Sequence, residues 1–161
     1  MAPASQCNGA SCLALLFKCA TIAPPKLTEP ETIMTDFRAV TETLFVAPQI
    51  TQSDIDRAAE EGFTLIINNR PNGEEAGQPT NDTLQAYAEA KGLRWLHIPI
   101  ISGQLTMDAI INTSTALADS GKTLAFCRSG TRSCTLWGLS EAKSSDRNIS
   151  DIVAKAADAG Y

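Results

Sequence analysis

The sequence predicts an α/β fold in which helices flank a central, largely parallel sheet. Short apolar runs alternate with helical stretches along the chain after residue 36, which is typical of strands joined by helical crossovers. Glycines follow the predicted helices at Gly62, Gly92 and Gly121, where a left-handed residue commonly ends a helix. The 161 residues are enough for one globular domain with its own core.

The predicted elements follow one another without an internal repeat. Leu44–Ala47 is an apolar run typical of a strand, and Thr51 then caps a helix, with Asp54 three residues later as an imperfect capping box. The remaining elements are, in order, a strand over 63–68, a helix over 82–91, a strand over 93–100, a helix over 107–119, a buried strand over 123–126, and helices over 133–142 and 152–159. A polar loop over 69–79 is long enough to suggest a function.

Composition and charge narrow the classes of function. A hydrophobic fraction of 43% and a charged fraction of 19% are ordinary for a globular protein. The net charge of -5 repels nucleic-acid backbones and anionic lipid surfaces, so we expect a protein that binds neither. We also expect the protein to be cytoplasmic. A single histidine and five cysteines without a C-x-x-C pair indicate neither a metal site nor a disulfide scaffold. No cofactor is expected.

Residues 1–33 differ from the rest of the chain. A short hydrophobic run over 12–17 is followed by Lys18 and several prolines. A secretory signal needs basic residues before a longer apolar run, and a membrane-spanning helix needs about 20 apolar residues. We therefore expect a disordered tail or an upstream extension with Met34 as the working start. The catalytic domain is predicted over 34–161, with the folded unit beginning near Asp36.

The loop after the strand over 123–126 carries the chemistry. It consists of Cys127, Arg128, Ser129, Gly130, Thr131, Arg132 and Ser133. Ligands of an open α/β sheet gather beyond the carboxyl ends of the strands, where the next helix directs its amino terminus at them. The backbone amides of the loop can surround an anion, and Gly130 permits the positive φ of a tight curl. The loop is therefore predicted to bind oxyanions.

Cys127 is the predicted nucleophile. A helix amino terminus and the guanidinium groups of Arg128 and Arg132 favour its thiolate. Arg132 can also bind two oxygens of a sulfonyl or phosphoryl group with its planar fork, and Ser133 can donate its hydroxyl to the sulfur. The alternative is a buried structural cysteine before a solvated basic turn. Cys134 falls in the first turn of the following helix and is interpreted as a small buried hydrophobe, with a resolving thiol as the alternative.

Two residues outside the loop have alternative roles. Arg70, at the carboxyl end of its strand, could reach the same rim as Cys127, or it could form a salt bridge to Glu74 or Glu75. His97 lies between apolar neighbours and is interpreted as a core or edge histidine.

The chain resembles the family called beta-lactamase-hydrolase-like protein phosphatase-like. The resemblance covers nearly everything from Met34 onward and rests on residues 126–133 with Leu136 and Trp137, residues 46–51, residues 67–71 with Glu74, residues 97–99 and residues 157–161. It implies the fold of a compact dual-specificity phosphatase. Some members are thought to act as sulfurtransferases, so the resemblance implies phosphoryl or sulfur transfer at Cys127.

Two departures from the phosphatase pattern favour sulfur transfer. Four residues separate Cys127 from Arg132, one fewer than in protein tyrosine phosphatases and similar to the loops of rhodaneses. Dual-specificity phosphatases carry an aspartate shortly after a motif similar to residues 98–100. Residues 101–104 contain none, and Asp108 is expected to face solvent. A phosphatase needs such an acid to protonate its leaving group, whereas sulfite departs without a proton.

The leading hypothesis is a cysteine-dependent sulfurtransferase. It would move sulfane sulfur from a small anionic donor, through a persulfide of Cys127, to a thiol acceptor. The alternative is a phosphatase that hydrolyses a phosphate ester through a phosphocysteine. A third hypothesis, from another class, is a non-catalytic module that binds an oxyanion.

Overall fold

The computed structural model describes residues 34–144 and 147–161 and confirms the α/β fold. The prediction for residues 1–33 lies outside the described residues. The strands are β1 (Arg38–Ala39), β2 (Leu44–Ala47), β3 (Leu65–Asn68), β4 (Arg94–His97) and β5 (Thr123–Phe126), and the helices are α1 (Gln52–Glu60), α2 (Asn81–Ala90), α3 (Met107–Ala118), α4 (Thr131–Ser144) and α5 (Ile149–Asp158). The sheet order is β1-β2-β5-β3-β4. The β1 strand pairs antiparallel with β2, and the other neighbours are parallel.

The predicted boundaries differ from the observed ones where irregular backbone meets a strand. The prediction missed β1, which has only two residues. Phe63 lies before β3 because its amide bonds to the carbonyl of Ala58 at the end of α1, at 3.0 Å. The capping box of α1 is complete, since Asp54 N donates to Thr51 Oγ1 at 3.3 Å and Thr51 N donates to the Asp54 carboxylate at 2.8 Å. Asp54 therefore completes the capping box, which we predicted to be imperfect.

The core lies on both faces of the sheet because successive strand residues point to opposite sides. On one face, Val46, Ile67 and Ala125 pack with residues of α3, α4 and α5. On the other, Ile66 and Leu124 pack with residues of α1 and α2. Near-continuous apolar strands are expected of a parallel sheet covered on both sides. No helix within the described part of the chain is long and apolar enough to cross a membrane.

The carboxyl ends of β2, β3 and β5 are held together by backbone hydrogen bonds beyond the strands. Cys127 N donates to Ala47 O at 3.4 Å, Gln49 N donates to Arg128 O at 3.3 Å, and Asn69 N donates to Phe126 O at 2.8 Å. The segment that follows β5 is therefore fixed between the segments that follow β2 and β3. These three ends position the candidate site.

Candidate active site

Cys127 follows β5 directly and is fully buried. The chain turns at Gly130, whose φ is +91°, and the amide of Gly130 donates to Cys127 Sγ at 3.1 Å. The α4 helix begins at Thr131, one residue later. The first amides of a helix have no acceptor inside it, so they remain available to an anion beside the sulfur. The curled loop that the sequence predicted is present, with the helix starting two residues earlier than expected.

Arg132 is held by one edge of its guanidinium group. Its Nη1 and Nη2 atoms each lie 2.8 Å from an oxygen of Glu74, and Nη1 also donates to Ile100 O at 2.6 Å. Burial lowers the pKa of Arg132, but hydrogen bonding and charge from Glu74 and Cys127 outweigh burial and raise it. Within the described chain no oxygen accepts from Nε. Glu74 thus faces the Nη1 and Nη2 edge of the guanidinium group, and Cys127 lies near enough to influence the charge of Arg132.

Glu74 joins Arg132 to Arg70. The Arg70 side chain is only 3% exposed, and its Nε donates to Glu74 at 2.8 Å, its Nη2 to Glu75 at 2.9 Å and its Nη1 to Gln49 Oε1 at 2.9 Å. The salt bridges named above as the alternative for Arg70 are thus present. Arg70 is connected to Arg132 through Glu74 and to Arg128 through Glu75. We call Gln49, Arg70, Glu74, Glu75 and Arg132 the ionic rim.

The Glu74 carboxyl is held in its charged form. The hydrogen bond from Arg132 lowers its pKa below the ordinary value, burial opposes the shift, and Arg70 lowers the pKa further. Sequence reasoning missed the contact between Glu74 and Arg132 because 58 positions separate the two residues. The only signal was the placement of Glu74 in a long loop after a parallel strand, which brings it to the same edge of the sheet as Cys127.

Two hydroxyl groups beside the loop are buried without a partner. Ser133 is 2% exposed, and neither its Oγ nor the Tyr161 Oη forms a hydrogen bond within the described residues. The predicted hydrogen bond from Ser133 to the sulfur is therefore not formed in this state. Tyr161 was missed because nothing in its local sequence places it at the loop. We call Cys127, Ser133 and Tyr161 the loop interior.

The other predicted loop residues lie at the surface. The Arg128 side chain is 66% exposed, and its Nε is 3.9 Å from the Glu75 carboxylate. Ser129 and Thr131 are exposed, and their hydroxyls lie 3.1 Å apart. Their part in oxyanion binding stays a prediction. Cys134 is 3% exposed and burial raises the pKa of its thiol, in keeping with a small buried hydrophobe.

His97 and Asp108 occupy the positions that the sequence indicated. The His97 Nε2 lies 3.1 Å from the backbone oxygen of Arg70 on the edge strand β4. Asp108 is exposed in the first turn of α3. Neither residue makes a contact with Cys127 that would give it a part in the chemistry.

Comparison with known proteins agrees with this geometry. Residues 36–144 match the family model described as "Beta-lactamase hydrolase-like protein, phosphatase-like domain". A beta-lactamase hydrolase-like protein of Xylella fastidiosa strain Temecula1 is 38% identical over 103 residues, which are 63% of this chain and 24% of that protein. The chain thus spans about a quarter of the length of the curated relatives it matches.

Solved structures have the same fold. A candidate phosphatase from Neisseria meningitidis has a TM-score of 0.69 and 28% identity, over 78% of this chain and 89% of that one. TpbA of P. aeruginosa, solved in complex with phosphotyrosine, has a TM-score of 0.57 and 8% identity, over 82% of this chain and 83% of that one. The architecture is that of the dual-specificity phosphatases.

Proposed function

The chain belongs to the family of beta-lactamase hydrolase-like protein phosphatase-like domains, and from this premise we propose a cysteine-dependent phosphatase with Cys127 as nucleophile. Family and fold support an enzyme, and the relatives favour phosphate chemistry over the sulfur transfer that we placed first from the sequence. One observation carries the proposal. The buried sulfur of Cys127, the Gly130 amide 3.1 Å from it and the Arg132 guanidinium, which interacts with Cys127, come together at the start of α4.

Arg132 is proposed to bind the phosphoryl group. Glu74 takes the Nη1 and Nη2 edge of the guanidinium and so sets its orientation. The Nε and Nη2 edge can then donate two parallel hydrogen bonds to two phosphoryl oxygens. The first-turn amides of α4 and the buried Ser133 hydroxyl supply further donors.

The proposed reaction has two steps. The ionised sulfur of Cys127 attacks the phosphorus of a monoester, an S–P bond forms, and the P–O bond to the alcohol breaks. The departing oxygen takes its proton from water. Water then attacks the phosphorus of the phosphocysteine and the S–P bond breaks, which releases inorganic phosphate and one proton and restores the thiolate.

The carboxyl groups near the site indicate which class of phosphate ester the proposed phosphatase would hydrolyse. Glu74 is held ionised by Arg132, and Asp108 is exposed on α3, so neither is placed to act as general acid. An acid ordinarily contributes about 10²–10⁴-fold by protonating the leaving group. We therefore propose aryl phosphates as substrates, because phenolate departs without a proton more readily than an alkoxide does.

Sulfur transfer is the second candidate, favoured by the spacing of Cys127 and Arg132 and by the ionised state of Glu74. The thiolate would attack the sulfane sulfur of thiosulfate, and sulfite would leave with the electron pair of the broken S–S bond. The resulting persulfide would pass its outer sulfur to a thiol acceptor, or to cyanide in the assay. Cytoplasmic location stays a prediction under either candidate.

The experiment compares two reactions on the same protein. Phosphate release from p-nitrophenyl, phenyl and alkyl phosphates is measured beside thiocyanate formation from thiosulfate and cyanide. We expect p-nitrophenyl phosphate to be the fastest ester, and Cys127→Ser to abolish its turnover. Cys134→Ala is the matched control, since it removes the other described thiol and should retain turnover.

Each outcome separates the candidates. Thiocyanate formation without phosphate release would replace the phosphatase by the sulfurtransferase. Binding of vanadate without either turnover would leave an oxyanion-binding module. Turnover that survives Cys127→Ser would reject the nucleophile in both enzymes.

A further inference from the structure

The hydroxyl of Tyr161 has no role in the reaction described above. It is shielded from solvent and has no hydrogen-bond partner among residues 34–144 and 147–161. A buried hydroxyl without a partner loses its hydrogen bonds to water and gains none in return. A phenylalanine at this position would avoid that cost, so the oxygen calls for an explanation.

Tyr161 packs directly against the loop. A Cβ atom at Gly130 would lie 1.9 Å from the Tyr161 Oη, 2.6 Å from Cζ and 2.8 Å from Cε1. The edge of the phenol therefore fills the space that any larger side chain at Gly130 would need. The amide of the same Gly130 donates to Cys127 Sγ at 3.1 Å. One residue thus contacts both the phenol and the nucleophile.

The phenol is fixed and stays protonated. Arg38 lies 5.2 Å from the ring centroid, and the Tyr161 amide donates to Ala156 O at 2.9 Å. Burial raises the pKa of Tyr161, Arg38 lowers it, and charge at Cys127 and Cys134 raises it further. The phenol thus keeps its proton at neutral pH, close enough to sense the charge of the nucleophile.

We propose that Tyr161 is a positioning residue, which fixes the turn at Gly130 so that the Gly130 amide stays directed at the sulfur of Cys127 and stabilises that sulfur once it is ionised. The Tyr161 hydroxyl makes no hydrogen bond to the sulfur, so Tyr161 acts on Cys127 through its contact with Gly130. The charged and titratable groups that face this pair are Arg38 on β1 and Arg132 and Cys134 on α4. The inference rests on the proposed function, because it requires Cys127 to act as a thiolate.

The test is the pKa of Cys127 in the full chain. Iodoacetamide alkylation of the peptide that contains Cys127 is followed by mass spectrometry between pH 5 and pH 10. Tyr161→Phe removes the oxygen atom that packs nearest to Gly130, so the turn should loosen and the pKa of Cys127 should rise by about one unit, because the Gly130 amide then stabilises the thiolate less. Tyr87→Phe is the matched control, since its hydroxyl donates to Asp56 at 2.9 Å, away from the loop.

Thermal unfolding of both variants distinguishes a specific effect on Cys127 from a general loss of stability. An unchanged pKa of Cys127 in folded Tyr161→Phe would overturn the inference, as would equal shifts in the two variants. Alkylation needs no substrate, so its result is independent of the proposed function. A shifted pKa in a protein that hydrolyses no phosphate ester would keep this inference and reject the phosphatase, and an unchanged pKa in an active phosphatase would do the reverse.

Discussion

The ionic rim and the loop interior are neighbours, but they differ in how far their polar side chains are hydrogen bonded. In the ionic rim all three nitrogens of Arg70 donate to side-chain oxygens, and Glu74 accepts from both Arg70 and Arg132. In the loop interior the hydroxyls of Ser133 and Tyr161 have no partner within the described chain. The rim is therefore a preassembled framework, and we infer that the interior donors serve a negative charge that forms during the proposed reaction.

Arg132 belongs to the rim and is proposed to bind the phosphoryl group in the interior, so its replacement should have the largest effect on turnover after that of Cys127. Arg132→Ala should lower the kcat for p-nitrophenyl phosphate by about 10²–10³-fold, the usual loss for one oxyanion donor. Arg132→Lys keeps the charge without the paired edge and should restore only part of the activity. Steady-state kinetics check the order, with Arg94→Ala, at the amino end of β4, as a control. Equal kcat in Arg132→Lys and wild type would contradict the two-oxygen clamp.

Glu74 and Glu75 provide a comparison within the rim. Glu74→Gln leaves Arg132 and the buried Arg70 short of a counter-charge and should lower the free energy of unfolding by about 2 kcal/mol. Glu75→Gln removes an acceptor that is 55% exposed and should cost less than about 1 kcal/mol. Urea denaturation of both variants measures the difference. Equal losses would show that the rim does not depend on Glu74 as its centre.

Low pH should weaken the contact between Glu74 and the two arginines. The change in the free energy of unfolding should be the smallest and most gradual of these effects. Because the folded state lowers the pKa of Glu74, its stabilisation is complete above the ordinary value of 4.5 and is lost as the pH falls through the lowered value. The difference in unfolding free energy between wild type and Glu74→Gln should therefore be constant near neutral pH and shrink below 4.5. A difference that stayed constant down to pH 3 would show that the Glu74 charge is not what stabilises the rim.

The predicted and the missed parts of the site differ in how far they extend along the chain. Cys127, Gly130, Arg132 and the start of α4 lie within a few residues of one another, so a strand end, a flexible turn and a helix start were visible together. The contacts from Glu74 and Ile100 to Arg132 span 58 and 32 positions, and Tyr161 meets Gly130 across 31. Spacing along the chain carries no signal for such contacts.

Residue patterns along the chain were enough to predict the α/β order of elements, the loop with its candidate nucleophile and the family, because each depends on periodicity, capping or a contiguous motif. They even placed Asp54 in its capping box, since that interaction is local. Tertiary structure alone decided which residues surround the loop: parallel strands bring their carboxyl ends to one edge of the sheet, and α5 directs Tyr161 onto Gly130. Packing also decided which hydrogen-bond donors have an acceptor. Arg132 has one and the Ser133 hydroxyl has none among the described residues, because only the folded chain brings distant atoms within hydrogen-bonding distance.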